Sequence, residues 1–170
     1  MRFIVVFALF INSLWAHPHT FIDVFLNIIG AKNAQKIEIR WLFDEMTSSS
    51  LLMDFDANKN SQFEKEEIAD FKKTVFDDLR KFSYYTHLKV AGKMIKIEPK
   101  SLDLSQEGNR FALTFKIDLE PFANQKKTIG FWDEVLMCAF ELEKEHIHTS
   151  LRYTLKEVSN AYYYGYLLEL

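Results

Sequence analysis

The feature of this sequence that most constrains its fold is a set of short segments in which apolar and polar residues alternate. In one of them Ile37, Ile39, Trp41 and Phe43 share a face, because successive side chains of a strand point to opposite sides. Segments of the same strand-like character are FIDVFLNII, KIEIRWLF, YYTHLKVAGKMIKIEP, RFALTFKIDL, KTIGFW, LMCAFEL and HTSLRYTLKEV. The pattern predicts an antiparallel β-sandwich or sheet.

The stretch after the second of these segments changes to a helical pattern. DEMTSSSLLMDF predicts a short helix, and a longer amphipathic helix is predicted where Ile68, Phe71, Val75 and Leu79 recur at spacings of three and four. A helix–loop–helix insertion at about residues 45–82 therefore follows the second strand. No linker divides the rest of the chain. We predict an α+β fold in a single domain over residues 17–170.

The first 16 residues have the composition of a cleaved secretory signal. Met1 and Arg2 form a short basic region, residues 3–14 are almost entirely apolar, and Ala16 supplies a small residue before the cut. The apolar run is shorter than the roughly 20 residues that span a bilayer. We therefore expect cleavage after Ala16, no membrane span in the mature protein and an extracytoplasmic location.

Composition and motifs exclude several classes of function. The net charge is −3 and no basic patch is evident, so nucleic acid is not expected as a partner. The motifs G-x-S-x-G, C-x-x-C and H-E-x-x-H and the P-loop are absent, and Cys138, the single cysteine, is expected to be a small buried hydrophobe. We do not expect an enzyme. A hydrolytic carboxylate pair is the alternative, and a deep cleft lined by paired carboxylates would reveal it.

The segment DANKNSQFEKEE has the spacing of an EF-hand calcium loop. Calcium binds roughly six to eight oxygen atoms, which such a loop supplies from fixed positions. The corresponding residues here are Asp56, Asn58, Asn60, Gln62 through its carbonyl, Glu64 and Glu67. Ser61 stands at the sixth position, where glycine is usual because the turn needs a positive φ. Calcium is a candidate ligand of low affinity, and the alternative is a polar loop that no longer binds the ion.

Two histidines flank a proline where the mature chain is expected to begin. Pro18 fixes its own φ and disfavours helix at His17, so the tripeptide is extended. Alternate side chains of an extended chain lie about 6.6 Å apart on one side, so His17 and His19 can share a metal ion. Asp23 lies four residues after His19, so its side chain faces the same side as the two imidazoles if the strand begins that early. Imidazole with carboxylate suits zinc or nickel, and the alternative is a pair of solvated residues at a frayed terminus.

Several of these motifs, in the order HPHTFIDV, RWLFDE, DFDANKNSQFEKEE, YYTHLKVAGK and FWDEVLMCAF, resemble the ZevA-like periplasmic proteins. The resemblance extends over nearly the whole mature chain and implies that the protein handles a transition metal in the periplasm. It further implies a partner in the inner membrane, a NicO-type nickel, cobalt or zinc permease. The matched positions place the metal site at His17, His19, Asp23, Asp44 and Asp133. Glu134 departs from the pattern, because relatives tend to have proline there.

Two interpretations of function stay open at this point. The first is a periplasmic metal-binding accessory protein of a zinc, nickel or cobalt transport system. The second is a calcium-stabilised structural or protein-interaction module, which the segment from Asp56 to Glu67 supports. Tight zinc or nickel binding that depends on His17 and His19 would favour the first, and binding of calcium alone would favour the second.

Overall fold

The computed structural model describes residues 19–30, 33–135 and 137–170, and most of the regular structure in these ranges is strand. The strands are β1 (Thr20–Ile29), β2 (Lys36–Phe43), β3 (Thr86–Val90), β4 (Lys93–Ile95), β5 (Leu102–Glu107), β6 (Arg110–Asp118), β7 (Lys127–Trp132), β8 (Cys138–Glu141), β9 (Ile147–His148), β10 (Thr154–Ser159) and β11 (Tyr164–Glu169). The helices are α1 (Glu45–Phe55) and α2 (Lys65–Phe71), and α2 is followed by a π-helical turn (Lys72–Phe76) and a 3₁₀ segment (Asp78–Tyr85). No helix in the described ranges is long and apolar enough to cross a membrane.

The strands form two sheets, which confirms the α+β class. The first sheet has the order β5-β6-β2-β1-β8, with β9 also paired to β1, and the second has the order β10-β11-β7-β3-β4. Most neighbours are antiparallel, but β8 and β9 run parallel to β1. The prediction of a wholly antiparallel arrangement is wrong there. Parallel pairing arises because the chain crosses from the second sheet to the first between β7 and β8 and does not return through a hairpin.

The alternation in β2 is confirmed, since Ile37, Ile39, Trp41 and Phe43 are all buried. The Trp41 ring meets the ring of Phe140 on β8 with centroids 5.6 Å apart. Apolar side chains of β3, β7 and β11 in the second sheet belong to the same core. Burying one large apolar side chain stabilises the folded state by roughly 1.5–3 kcal/mol, and a shift of one residue would turn all of them to solvent. The core therefore fixes the register of the central strands.

Both predicted helices follow β2, but the second is shorter than predicted. α2 ends at Phe71, and in the π-helical turn that follows the Asp77 amide donates to the Lys72 carbonyl at 2.8 Å. This wider turn moves the apolar face along the sequence by one residue. Phe71 and Phe76 are consequently buried, whereas the predicted core residue Val75 is only partly buried.

Residues 83–85 depart from the predicted strand that begins at Tyr84. Ser83, Tyr84 and Tyr85 have φ values of 53°, 51° and 46°, and β3 begins only at Thr86. Left-handed backbone costs about 1–2 kcal/mol for a residue other than glycine. Packing offsets this cost, because the Tyr84 ring is buried with its centroid 4.9 Å from that of Phe76.

Candidate functional site

The predicted histidine motif joins the fold at the end of the first sheet where β1 begins. His17 lies outside the described residues, and His19 is exposed and directly precedes β1. The His19 amide donates to the Met137 carbonyl at 2.9 Å, and the Thr20 amide donates to the same oxygen at 3.2 Å. Met137 directly precedes β8, so the beginnings of two parallel strands lie side by side. These two hydrogen bonds fix the position of the His19 backbone beside the start of β8.

Asp44 lies at the same end of the sheet, because β2 runs antiparallel to β1. Its Oδ1 accepts from the Thr47 amide at 2.8 Å, and its Oδ2 accepts from the Phe21 amide at 2.8 Å. Partial burial acts to raise the Asp44 pKa, but the hydrogen bonds from Thr47 and Phe21 outweigh it and hold the pKa below its ordinary value. Asp44 thus caps the N-terminus of α1 and ties that helix to β1.

Asp133 lies in the crossing from β7 to β8 and is almost completely buried. Its Oδ1 accepts from the Val135 amide at 3.0 Å, and its Oδ2 accepts from the amides of Met137 at 3.1 Å and Cys138 at 3.0 Å. A buried carboxylate is tolerated when such donors compensate its charge. Both oxygens are engaged, so the geometry of Asp133 favours a structural carboxylate that fixes the crossing.

Asp23 lies on the outer face of the first sheet, away from the core. Its Oδ2 is 2.8 Å from the Arg110 guanidinium. Arg110 also donates to the carbonyls of Phe43 at 2.6 Å and Leu42 at 2.9 Å. The carboxylate and the guanidinium therefore connect β1, β2 and β6 across the outer face.

Among the predicted metal residues, the structure brings His19, Asp44 and Asp133 to one end of the first sheet. Asp23 lies three residues into β1 and is paired with arginine. In the part of the chain that the structure describes, no three His, Cys, Asp or Glu side chains form a group that could hold a metal ion. The three carboxylates bond to backbone amides or to arginine, so imidazole is the remaining donor type in the predicted set.

The loop between α1 and α2 is built around Asp56, which is buried. Its Oδ1 accepts from the Asn60 amide at 3.1 Å and its Oδ2 from the Ser61 amide at 2.9 Å. Asn58 Oδ1 also lies 3.0 Å from the Asn60 amide nitrogen. Ser61 has a φ of 63° and Lys59 a φ of 58°. Ser61 therefore adopts the left-handed backbone for which glycine is usual.

The second half of this loop leads into α2. Glu67 Oε1 accepts from the Ala57 amide at 2.9 Å, and its Oε2 accepts from the Glu64 amide at 3.1 Å. Contact with the Glu67 carboxyl and a bond from the Asn60 side-chain amide lower the Glu64 pKa. The Gln62 amide donates to Asn60 Oδ1 at 2.7 Å. The residues predicted for calcium therefore belong to one hydrogen-bonded turn.

Sequence reasoning missed a stack of three rings on the outer face of the second sheet. The His87 ring lies 4.1 Å from the Trp132 ring at 6°, and Trp132 lies 4.7 Å from Tyr163 at 13°. The lack of a side chain at Gly130 makes room for the Trp132 ring, since a Cβ at that position would lie 1.9 Å from a Trp132 ring carbon. Glycine inside a strand often marks such a close approach, and KTIGFW contained that signal.

Cys138 is partly buried and packs against the hydrophobic core. Burial raises the pKa of the Cys138 thiol to about 11, and nearby Asp133 acts in the same direction. The thiol is therefore protonated at neutral pH, when a metal ligand or nucleophile must be thiolate. Cys138 is thereby suited to the packing role expected from its sequence context.

Comparison with known proteins assigns the family. Residues 2–157 match the family described as "Protein of unknown function (DUF1007)". This chain belongs to the DUF1007 family. It is also similar to an uncharacterised 15.5 kDa protein in the trpE 3′ region of Spirochaeta aurantia, with 29% identity over 87 residues, which is 49% of this chain and 62% of that protein. The chain thus spans less than two thirds of that relative. No solved structure matches the chain.

Proposed function

We propose that this DUF1007 protein is a periplasmic metal-binding accessory protein of a zinc, nickel or cobalt transport system, of the ZevA-like kind. The observation that supports the proposal is the position of His19. It directly precedes β1 and is anchored through its amide to Met137, at the sheet end where Asp44 and Asp133 lie. A histidine motif next to a rigid sheet end can present imidazoles at a fixed place on the surface.

In this proposal the imidazoles of His17 and His19 bind the ion as cargo. Neutral imidazole suits zinc and nickel. Asp44 and Asp133 hold the start of β1 and the β7–β8 crossing in place. Binding is expected to weaken as the pH is lowered, because protonated imidazole no longer donates to metal.

The proposed partner is an inner-membrane permease of the NicO type. A site made of two imidazoles offers the ion few ligands. The ion can therefore pass to a site in the permease that supplies more of them. Export with cleavage after Ala16 would make His17 the first residue, so processing would free the motif from the apolar segment. Sequencing the amino terminus of exported protein tests this step, and Met1 retained in that fraction would contradict it.

Calorimetric titration of the exported protein with zinc and nickel tests the metal site. The double variant His17→Ala/His19→Ala is expected to bind at least about tenfold more weakly, because tight zinc sites require their full set of ligands. The matched control is His146→Ala/His148→Ala, a second His-x-His in which the His146 ring packs on Phe25 at 3.9 Å. Affinity should be unchanged in the control. Equal affinity in both double variants would contradict the proposal.

A second candidate function is a calcium-stabilised module, and a specific observation favours it. Asp56 accepts two loop amides while Ser61 takes the left-handed backbone that this loop class requires. Millimolar calcium should then raise the melting temperature, because an ion bound only to the folded state stabilises it. Glu67→Gln should abolish the rise, and Glu66→Gln, an exposed neighbour with the same charge change, should retain it. A rise that persists in Glu67→Gln would exclude this site.

A further inference from the structure

The outer face of the second sheet carries a cleft that the proposed function does not use. Its volume is about 370 Å³, and its walls include Phe82, Tyr85, His87, Met94, Trp132 and Glu134. The rings of Phe82 and Tyr85 stack at 5.7 Å and form one wall. That wall includes Tyr85, the last of the consecutive left-handed residues 83–85. Backbone held in such sparsely populated conformations clusters at ligand sites, because the surrounding structure must be rigid enough to maintain it.

His87 is held in this cleft in one tautomer. Its Nε2 lies 3.2 Å from the Trp132 carbonyl oxygen, which can only accept, so Nε2 carries the proton. Burial lowers the pKa of His87, although the hydrogen bond to the Trp132 carbonyl and the charge of Glu134 act to raise it. In this tautomer the neutral ring has its lone pair on Nδ1. A histidine that donates one N–H to a carbonyl and keeps the other nitrogen free is arranged as metal-binding histidines usually are.

Met94 supplies a second donor on the same face of the sheet. The register pairs Lys89 with Met94 and Leu88 with Ile95, so Met94 is the diagonal neighbour of His87 across β3 and β4. Diagonal neighbours of this kind lie about 7–8 Å apart, which is within reach of long side chains. Met94 is exposed and lines the same cleft as His87. A thioether in such a place is a soft ligand that is accessible from solvent.

We propose that His87 Nδ1 and the Met94 thioether bind a soft monovalent metal ion, Cu(I), in this cleft. Thioether ligands select Cu(I) over zinc and nickel, because zinc and nickel prefer nitrogen and oxygen ligands to a neutral thioether. The cleft offers one imidazole beside the aromatic wall of Phe82 and Tyr85, and its other walls carry polar groups of Lys81 and Glu134. The inference rests on His87 and Met94 and on neither of the histidines of the proposed function, so it does not depend on that function.

Titration of the exported protein with Ag(I), a probe that mimics Cu(I) without redox chemistry, tests the inference. Because His87 stacks on Trp132, binding at Nδ1 should quench tryptophan fluorescence. His87→Phe, which keeps a stacked ring, and Met94→Leu should each weaken Ag(I) binding at least tenfold and remove the quenching. Met53→Leu, another exposed methionine, and His17→Ala/His19→Ala should leave both unchanged.

The outcomes separate this site from the others. Ag(I) affinity that survives both His87→Phe and Met94→Leu would overturn the inference. Affinity lost only in His17→Ala/His19→Ala would place the ion at the amino terminus and also overturn it. Zinc binding that is tighter than Ag(I) binding, and that requires Glu134 but not Met94, would also overturn the inference. Met94→Leu changes an exposed side chain, so its result stands even if His87→Phe fails to fold.

Discussion

The two acidic regions of this molecule use the same side chains in different ways. At the start of β1, Asp44 bonds to Phe21, 23 residues away in sequence, and Asp133 fixes the crossing between the two sheets. In the loop between the helices, Asp56 and Glu67 bond to amides within the loop itself. Carboxylates of the first region maintain tertiary structure, whereas those of the second maintain a local turn between the helices. Their removal should therefore affect different properties.

The largest effect is expected at Asp133. Asp133→Ala removes the acceptor for three backbone amides in a buried turn, and should lower the free energy of unfolding by about 3 kcal/mol or more. Urea denaturation measures the change. Glu134→Ala is the matched control, because that neighbouring side chain is exposed, and should change stability by less than about 0.5 kcal/mol. A small effect at Asp133 would mean that its carboxylate is not structural and is available to a metal.

A smaller effect is expected at Asp44. Asp44→Ala should lower the free energy of unfolding by about 0.5–2 kcal/mol, the usual range for loss of a helix N-cap. The Asp44 pKa is lowered in the folded state, so its contribution is present above the unfolded pKa of about 3.9 and is lost as pH falls through the folded value. Stability measured from pH 7 to pH 3 should therefore converge for wild type and variant at the acid end. The stability of Glu45→Ala, a variant of the neighbouring exposed residue, should follow the same dependence on pH as wild type. A stability difference between wild type and Asp44→Ala that stays constant with pH would contradict the role assigned to the Asp44 carboxylate.

The smallest effect is expected in the loop. Ser61→Gly should raise the free energy of unfolding by up to about 1 kcal/mol, because glycine adopts the left-handed backbone at φ 63° without steric cost. Ser61→Ala should bring no gain, since alanine retains a Cβ. Thermal unfolding without added ions measures both variants. A loss in Ser61→Gly equal to that in Ser61→Ala would indicate that the loop does not maintain this turn in solution.

The sequence predicts the parts of the fold that depend on local periodicity. The alternation around Trp41 predicts the bounds of β2, and the segment YYTHLKVAGKMIKIEP contains both β3 and β4. It does not predict the π-helical turn that buries Phe76. The apolar residues of this segment fit the spacing of a regular α-helix, so nothing in the sequence marks the extra residue of the wider turn. The strand β5 is also missed, since LDLSQE carries few apolar residues and pairs through its backbone with β6.

The predicted metal residues depend on tertiary structure more than on any local pattern. The resemblance groups His19, Asp44 and Asp133, and the structure places these residues at one end of the first sheet. Their role as metal ligands stays a prediction. Which atoms the carboxylates bind depends on amides that tertiary structure brings to them, such as those of Phe21 and Met137. No local pattern contains that information. The ring stack of His87 escapes prediction for the same reason, because its neighbours come from other strands.

We propose that the imidazoles of His17 and His19 bind the metal while the nearby carboxylates hold the fold. X-ray absorption at the zinc edge, on exported protein loaded with one equivalent of zinc, reports the types of ligand at the ion. Two imidazole nitrogen ligands are expected at about 2.0–2.1 Å, absent in His17→Ala/His19→Ala and retained in Asp44→Asn. A spectrum dominated by carboxylate oxygen, unchanged in the double histidine variant and altered in Asp44→Asn, would contradict it.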